Sequence, residues 1–458
     1  MGGLNAALSS GKTSMQANQK SIEITGLNIV NVDTPGYSRQ TPNLAPYPAL
    51  NTGDFFVGRG VTVESILRSH DVFLAGQISD KSADKGVESA MSSPLAEVER
   101  VLGIGEGSLA YSFDQYFDSI RQLSTNPGGE VERQLVLQQG ALISDAFSTV
   151  ITELQSAQNN INATLTSKID GVNQTTAEIA DLNVRISAIE QSGQVANSDR
   201  DRRDLLLKNL SESIGAVSYE TSNGNASVTL PNGMPLVEAD RNTLLEGYPS
   251  GADVALRLKF GSTDLNLDKN ALGGEFRGLY EVRDVLMPDL TSRLDQLAYS
   301  FASEVNTQHQ AGTGLDGVSG RDFFTPITTV AGAASSLSVN LTSTAQLAAG
   351  TSAAPGDNTN IINILGLEQA QTIGGDNFVS YYGKITATIG IEAARNKTSL
   401  TGLEDSLVQL ENLRDGIDGV SLEEEMINLL KYQNAFEASA KFLSTVDEMM
   451  ATMLALKR

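Results

Sequence analysis

The chain has 458 residues, of which 40% are hydrophobic and 5% are aromatic, and it contains no tryptophan. This length predicts about three domains, with cores built mainly from Leu, Ile, Val and Ala. The formal net charge is −23 and cysteine is absent. We therefore expect no nucleic-acid binding, which needs clustered Lys and Arg, and the composition excludes disulfides, thiol nucleophiles and cysteine metal sites.

Further classes of function are also disfavoured. No apolar run approaches the roughly 18 residues of a membrane-spanning helix. The first residues show no basic segment followed by an apolar core, so we expect no Sec-type signal. Because the only histidines are His70 and His309, a histidine metal site is not expected either. We predict no catalytic residues, no cofactor and no metal.

The first segment predicts one helix over residues 3–31, about 43 Å long. Alternating steps of four and three residues connect Leu4, Leu8, Gly11, Met15, Asn18, Ile22, Thr25 and Ile29. This spacing places the side chains on one side of a helix, as in the seam of a coiled coil.

The last segment has the same spacing, and a second apolar line follows in its final turns. The main stripe comprises Leu422, Met426, Leu429, Gln433, Phe436, Ala440, Leu443, Asp447, Met450 and Leu454, and the second line comprises Val446, Met449, Met453 and Leu456. Ser421 fits an N-cap before three glutamates, which the helix dipole favours. Two such ends predict pairing with each other, with neighbouring copies, or with both; the alternative is the core of an ordinary helical bundle.

A turn motif follows the first helix. Asn28 and Asn31 are expected to hydrogen-bond free backbone groups at the helix end. Thr34, Pro35 and Gly36 predict a chain reversal, because Pro-Gly fits the central positions of a type II turn. We expect Tyr37 to hold this turn against the helix.

Between the two ends the pattern predicts helices, then a β insertion, then helices. Residues 38–68 are extended, 70–125 are helical, and 130–192 form one or two long helices. Asn223-Gly224 and Asn232-Gly233 predict hairpins in a β module at 215–270. A helix follows over 279–305 with Pro288 as a kink or restart, then a strand candidate at 336–341, and helix from 377 onward with a break at 414–419.

Three other groups of residues are weaker candidates for a function. Asp264, Asn266, Asp268, Asn270 and Glu275 have the spacing of a calcium loop, but Lys269 occupies the position that requires glycine. His309 is expected to be a packing residue rather than a base. The charged run at 199–204 is expected to be a solvated helix start or a surface salt network.

The two ends of the chain resemble known flagellar signatures. Residues 28–40 are similar to the N-terminal signature of flagellar rod, hook and hook-associated proteins, and 419–426 with 432–441 are similar to their C-terminal signature. Between them, the segments that resemble the hook-associated protein 1 family, FlgK, are 58–61, 68–77, 273–279, 294–298, 306, 309 and 320–324.

The pattern and the resemblance together imply a mainly α fold with an inserted β module, in which the N- and C-terminal helices pair and an outward β-rich domain is carried on a helical bundle. The expected terminal assembly helices, which form an inner tube, are residues 1–60 and 415–458. The expected helical body is 61–210, 276–320 and 376–414, and the expected outward domain is 211–275 with part of 321–375.

The resemblance implies a structural subunit of the bacterial flagellum at the junction between hook and filament, and not an enzyme. Its implied partners are further copies in a ring or helical layer, the hook protein, the second junction protein, and an export chaperone on the C-terminal helix. It implies an extracellular location reached by flagellar type III export. The alternatives are a hook or distal-rod protein and, more remotely, an enzyme on an axial scaffold.

Overall fold

The protein is described by a computed structural model over residues 2–51, 56–103, 105–221, 223–261 and 263–455. Leu456, of the second apolar line, lies outside these ranges. The helices are α1 (Gly2–Val30), α2 (Val72–Val101), α3 (Leu109–Thr125), α4 (Glu130–Gln191), α5 (Asn197–Ile214), α6 (Gly274–Glu281), α7 (Met287–Gln310), α8 (Ala333–Ser336), α9 (Thr359–Gly366), α10 (Phe378–Asp418) and α11 (Leu422–Ala455). The fold is 64% helical, and its first and last helices pack together, which confirms the predicted fold class.

The strands form small antiparallel sheets. They are β1 (Gln40–Pro46), β2 (Leu50–Asn51), β3 (Phe56–Val57), β4 (Val61–Arg68), β5 (Val217–Glu220), β6 (Ala226–Thr229), β7 (Pro235–Glu238), β8 (Arg241–Asn242), β9 (Leu244–Ser250), β10 (Asp253–Phe260) and β11 (Thr263–Leu267). Strand β1 pairs with β4 and β2 with β3, so this region is a long arm beside α1. The predicted β module contains a four-stranded sheet, β5 to β8 in order, and a three-stranded sheet with β10 at its centre.

Helix α4 runs unbroken for 62 residues, about 93 Å. The predicted segment 130–192 is therefore one helix. Gly140 does not interrupt it, because this glycine packs against an aromatic ring: a Cβ added at Gly140 would lie 2.8 Å from Cε1 of Phe323. Close packing thus explains the glycine.

The core is made mainly of Leu, Ile, Val and Ala, as predicted, and an aromatic cluster occupies the centre of the helical body. The rings of Phe113 and Phe301 meet edge to face at 5.0 Å, and Phe378 stacks on Phe113 at 5.7 Å. Edge-to-face and offset rings are the favoured aromatic geometries. The cluster lies where α3, α7 and α10 meet.

Three asparagines on α4, of which Asn162 and Asn183 are buried and Asn173 is half-buried, hold the β module. Each of these side chains donates to a backbone carbonyl oxygen and accepts from a backbone N–H. The N–H groups are those of Val254 for Asn162, Leu245 for Asn173 and Ala226 for Asn183. Arg203, expected in a solvated run, is buried and donates to Asn183 Oδ1 and to the carbonyl oxygen of Gly224. Burial lowers the pKa of Arg203. The side chain is fixed because these acceptors surround it.

The segment 312–375 contains short irregular turns rather than the predicted strand at 336–341. Residues Ala333–Ser336 form a single helical turn, and Val339 forms only an isolated bridge with Phe324. The segment packs on the helical body through buried Arg133 of α4, which donates to the carbonyl oxygens of Thr344 and Leu347. Within 336–341 the pairing is limited to two backbone hydrogen bonds, from the N–H of Thr325 to Ser338 and from the N–H of Asn340 to Phe323, so no strand forms. The division of the chain into domains stays a prediction.

The backbone is irregular near both helix breaks predicted from the sequence, at Pro288 and between α10 and α11. A π-helical turn at Val282–Leu286 precedes α7, and Pro288 lies in the first turn of α7, where its missing N–H needs no partner. Helix α10 continues through Gly416 and ends at Asp418. The break before α11 is therefore at 419–421, within a few residues of the predicted position.

Candidate assembly interface

Helices α1 and α11 form an antiparallel pair. Gly11 lies under Leu443, since a Cβ at Gly11 would be 2.9 Å from Cδ2 of Leu443. The hydroxyl oxygens of Ser14 and Ser439 are 3.1 Å apart, and the Asn28 side chain meets Glu425 near the base of the pair. Glu425, Ser439 and Val446 lie at multiples of seven residues, which is the spacing of a coiled-coil seam.

The seam on α1 is built from small and polar residues. Its buried members are Ala6, Gly11, Ala17, Ser21, Ile24, Thr25 and Asn28. The larger apolar residues that the stripe predicted are only half-buried: these are Leu4, Leu8, Met15, Ile22 and Ile29. The two helices approach closely because their contact residues are small, which a search for large apolar side chains could not reveal.

The seam on α11 is also rotated from the predicted stripe. The buried residues are Glu425 and Val446. Of the predicted residues, those half-buried are Leu429, Phe436, Ala440, Leu443 and Met450, and those exposed are Leu422, Met426 and Leu454. Further exposed apolar residues on the same helix are Ile427, Leu430, Phe442, Met449 and Met453. Pairing with α1 therefore leaves most of the apolar surface of α11 uncovered.

The arm formed by β1 to β4 packs along another side of α1. The hydroxyl of Thr13 donates to the carbonyl oxygen of Arg59 at 2.9 Å. Gly60 has φ of +92°, and a side chain there would overlap Thr13. This glycine thus allows the arm to lie directly against the helix.

The turn after α1 has the expected geometry. The Tyr37 N–H donates to the carbonyl oxygen of Thr34 at 3.1 Å, with Pro35 and Gly36 at the centre. Gly36 has φ of +79°, as the third position of a type II turn requires. The side-chain amide of Asn31 donates to the carbonyl oxygen of Leu27, which satisfies a free group at the helix end.

Asn28 is the centre of a buried hydrogen-bond network. Its Oδ1 accepts from the Tyr37 hydroxyl at 2.9 Å and from the backbone N–H of Gln40 at 3.0 Å. Its Nδ2 donates to the carbonyl oxygen of Gln40 and to Oε2 of Glu425. Asn28 therefore joins α1, the turn, β1 and α11. Burial, together with the charges of Asp201 and Glu425, raises the pKa of Tyr37 to about 12.

Charged residues connect this network to the helical body. Arg39 Nε donates to Oε1 of Glu425 and Arg39 Nη1 donates to Oε2 of Glu424, both at 2.8 Å. The backbone N–H of Arg39 donates to the carbonyl oxygen of Asp418 at the end of α10. The orientation of α11 relative to the body is thus held by paired charges, since Glu425 is almost fully buried.

A second charged pair lies on the other side of the turn. Arg68 Nη1 donates to Asp201 and Asp204 at 3.0 and 2.7 Å, and the Ser38 N–H donates to Asp201. Burial raises the pKa of Asp201, although the Ser38 and Arg68 hydrogen bonds oppose the shift. The sequence alone did not identify Arg39, Arg68, Asp201 and Glu425 as members of this site. The signal available in the sequence was an acidic residue, Glu425, at a position of the seam.

The weaker candidates form other contacts. Glu275 pairs with Lys168, and Asp268 caps a short 3-10 turn through the N–H groups of Asn270 and Ala271. His309 is buried, with Nδ1 2.7 Å from the carbonyl oxygen of Arg321, while Nε2 accepts from the N–H of Ala348. This is a neutral packing histidine. Across the ranges that the structure describes, no group of three acidic or histidine side chains is placed to hold a metal.

Comparison with known proteins identifies the family. Residues 95–324, half of the chain, match the family model of the flagellar hook-associated protein FlgK helical domain. The chain belongs to the FlgK family. Residues 418–456, which include α11, match the model of the C-terminal region of flagellar basal body rod FlgEFG proteins. FlgK-family membership makes the chain a flagellar hook-associated protein, as the resemblance predicted.

Relatives of similar length share this assignment. The flagellar hook-associated protein 1 of Bacillus subtilis is 26% identical over 97% of this chain and 96% of its own length. That of Escherichia coli is 23% identical over 99% of this chain and 100% of its own length. The structure of the flagellar hook junction protein FlgK from Burkholderia pseudomallei aligns with a TM-score of 0.68 at 15% identity. It covers 75% of this chain and 100% of that chain, which supports the fold. No helix of the described part of the chain is long and apolar enough to cross a membrane.

Proposed function

We propose that this FlgK-family chain is a structural subunit of the first layer between the flagellar hook and the filament. Terminal helices of neighbouring copies pack into an inner tube, and the helical body and β module lie outside it. The layer connects a bendable hook to a stiffer filament and performs no covalent chemistry. Membership of a family of structural flagellar proteins supports this reading.

The observation that carries the proposal is the uncovered apolar surface of α11. Met426, Ile427 and Leu430 are 58%, 67% and 58% exposed, and Met449 is 54% exposed near the other end. Contiguous exposed apolar surface marks sites of protein association. Exposed apolar residues at different positions along one helix provide contacts for more than one neighbouring subunit. The half-buried α1 residues Leu8, Met15, Ile22 and Ile29 belong to the same proposed interface.

The proposed partners follow from the position of the layer. They are further copies of the chain, the hook protein on one side and the second junction protein on the other. Before assembly, an export chaperone covers α11 and the flagellar type III channel carries the chain out of the cell. The exposed apolar residues of α11 support a chaperone before assembly and neighbouring subunits after it, because an apolar surface of this kind has to be covered by a partner in the cytoplasm.

A deletion experiment tests the function. We expect a strain without this chain to build hooks, to lack filaments and to release flagellin into the medium. Expression of the full chain from a plasmid restores filaments. Filaments of normal length on the deletion strain would contradict the proposed role.

A hook or distal-rod protein is the second candidate, favoured by the match of residues 418–456 to the rod-protein model. In that case the deletion strain would lack hooks as well as filaments. Electron microscopy of a tagged chain separates the two candidates, since the proposed junction protein lies at the tip of the hook rather than along it.

A further inference from the structure

The sulfur of this chain is confined to methionine, since the sequence has nine methionines and no cysteine. The thioethers are therefore the sulfur groups that a peroxide can oxidise, and the product is a sulfoxide. The methionines of α11 are Met426, Met449, Met450 and Met453. The helix that carries the proposed assembly surface is thus also the helix richest in oxidisable groups.

Solvent exposure separates the methionines of α11 from those of the helical body. Met426, Met449 and Met453 are 58%, 54% and 47% exposed. Met91 and Met287 are 4% and 2% exposed and belong to the main hydrophobic core. The other methionines that the structure describes are half-buried: Met15, Met234 and Met450. Among the described residues, every exposed thioether therefore lies on α11.

The three exposed methionines are open to solvent although α11 is already paired with α1. The buried residues of α11 in this pair are Glu425 and Val446. Oxidation turns an apolar thioether into a polar sulfoxide. In the free chain the added oxygen is hydrated, so the pairing of the two helices is not disturbed.

A neighbouring subunit changes the environment of these sulfurs. When it covers α11, a sulfoxide oxygen loses its water, and burial of a polar group without a hydrogen-bond partner is unfavourable. Met426 lies in the first turns of the helix, and Met449 and Met453 lie in its last turns. Oxidation therefore acts on contacts at both ends of α11.

We propose that Met426, Met449 and Met453 form an oxidation site through which a peroxide prevents the free chain from joining the layer. The inference rests on the proposed function and adds a means of control to it. A sulfur lone pair attacks one oxygen of hydrogen peroxide, so that an S–O bond forms and the O–O bond breaks. The proton of the attacked oxygen moves to the departing oxygen, which leaves as water. The sulfur loses the two electrons that the peroxide gains.

Peptide mass spectrometry of the purified full chain tests access to the site. After a short treatment with hydrogen peroxide, we expect Met426, Met449 and Met453 to oxidise several-fold faster than Met91 and Met287, with an unchanged thermal transition. In isolated flagellar particles the same three residues should be protected, because neighbouring subunits cover them. Equal rates for exposed and core methionines, or equal rates in free and assembled chain, would overturn the proposal.

Binding to isolated hooks tests the effect on assembly. Hooks from the deletion strain are sedimented with untreated or peroxide-treated chain, and we expect the treated wild type to bind several-fold less. Methionine sulfoxide reductases for both epimers, supplied with a thiol reductant, should restore binding.

A leucine variant identifies the sulfurs that are responsible. The triple variant Met426→Leu, Met449→Leu and Met453→Leu should bind hooks equally well before and after peroxide, because leucine has a similar volume and no sulfur. Met234→Leu, at a half-buried position of the β module, is the control and should lose binding as the wild type does.

Two outcomes of the binding experiment would overturn the inference: full binding of the oxidised wild type, or the same loss in the triple variant. Failure of the proposed function is read from the untreated wild type, which would then not bind hooks, and the inference would fail with it. Failure of the inference alone leaves the untreated chain bound and its binding insensitive to oxidation of α11.

Discussion

The side chain of Asn183 on α4 pairs with both backbone groups of Ala226 on β6: Nδ2 donates to the carbonyl oxygen at 2.9 Å, and Oδ1 accepts from the N–H at 2.9 Å. The asparagine thus satisfies both backbone groups of the first residue of β6, an inner strand of its sheet. Asn173 pairs in the same way with Leu245 of β9, and Asn162 accepts from the N–H of Val254 in β10. Helix α4 therefore holds the β module at three positions along its length.

Asn183→Leu should therefore loosen the β module. It leaves the buried backbone groups of Ala226 without their side-chain partner and removes one acceptor of the buried Arg203 guanidinium, and we expect a loss of about 2 kcal/mol in the free energy of unfolding. Denaturant unfolding and hydrogen exchange over 217–242 measure it. The control is Asn160→Leu, at an exposed position of the same helix, with an expected change below about 0.5 kcal/mol. Equal effects of the two variants would contradict the role of Asn183 in holding the β module on α4.

Two glycines of α2 should respond oppositely to alanine. A Cβ at Gly86 would overlap the carbonyl oxygen of Glu212 on α5, whereas a Cβ at Gly76 meets nothing within 4 Å. We expect Gly86→Ala to cost about 1–3 kcal/mol and Gly76→Ala to stabilise by up to about 1 kcal/mol, because alanine is the better helix former. Thermal unfolding of both variants tests this. A stable Gly86→Ala protein would show that α2 and α5 can separate without cost.

Leu443→Asp tests the terminal interface. Leu443 covers Gly11 and is half-buried, so a carboxylate there should weaken the packing of α11 with α1 and with its neighbours. We expect loss of motility and weaker chaperone binding, with a thermal transition of the helical body close to that of the wild type. Leu244→Asp, at an exposed leucine of β9, is the matched control and should remain motile. Unchanged motility of Leu443→Asp would count against the interface.

Stability should fall in mildly acidic solution because of His309. Burial lowers the pKa of this imidazole below its ordinary value of 6.5. As the pH falls through about 6.5, the unfolded chain binds a proton that the folded chain does not, so the free energy of unfolding decreases. Melting temperatures between pH 5 and 8 should show a smaller slope for His309→Gln than for the wild type. His70→Gln is the control, and a change in slope confined to that variant would contradict the assignment.

The terminal helices of the free chain should exchange their amide hydrogens rapidly. Their seam is made of small and polar residues, so burial between α1 and α11 stabilises the pair only weakly in the absence of neighbours. Hydrogen exchange on the isolated chain should show low protection over 3–30 and 425–455 and high protection in the aromatic core around Phe113 and Phe301. Strong protection of both termini would mean that the pair is stable alone.

Several elements were predictable because their signals are local. The heptad spacing of α1 and α11, the turn at Pro35 and Gly36, and the long helical stretch from residue 130 follow from backbone preferences and from period. The strand expected at 336–341 was wrong, because its pairing is limited to one bridge between Val339 and Phe324. The neighbouring turn is held instead by Arg133, which donates to the carbonyl oxygens of Thr344 and Leu347, more than 200 positions away.

The helical ends, the β insertion between them and the flagellar family can be read from the amino-acid sequence, because spacing, turn residues and end signatures are properties of neighbouring residues. Which side of each end helix is used follows only from the packing of distant parts of the chain. Glycine and serine at the contacts let α1 and α11 approach closely, and the buried pair of Arg39 and Glu425 fixes their rotation. The larger apolar residues are therefore turned outward, where a neighbouring copy can cover them.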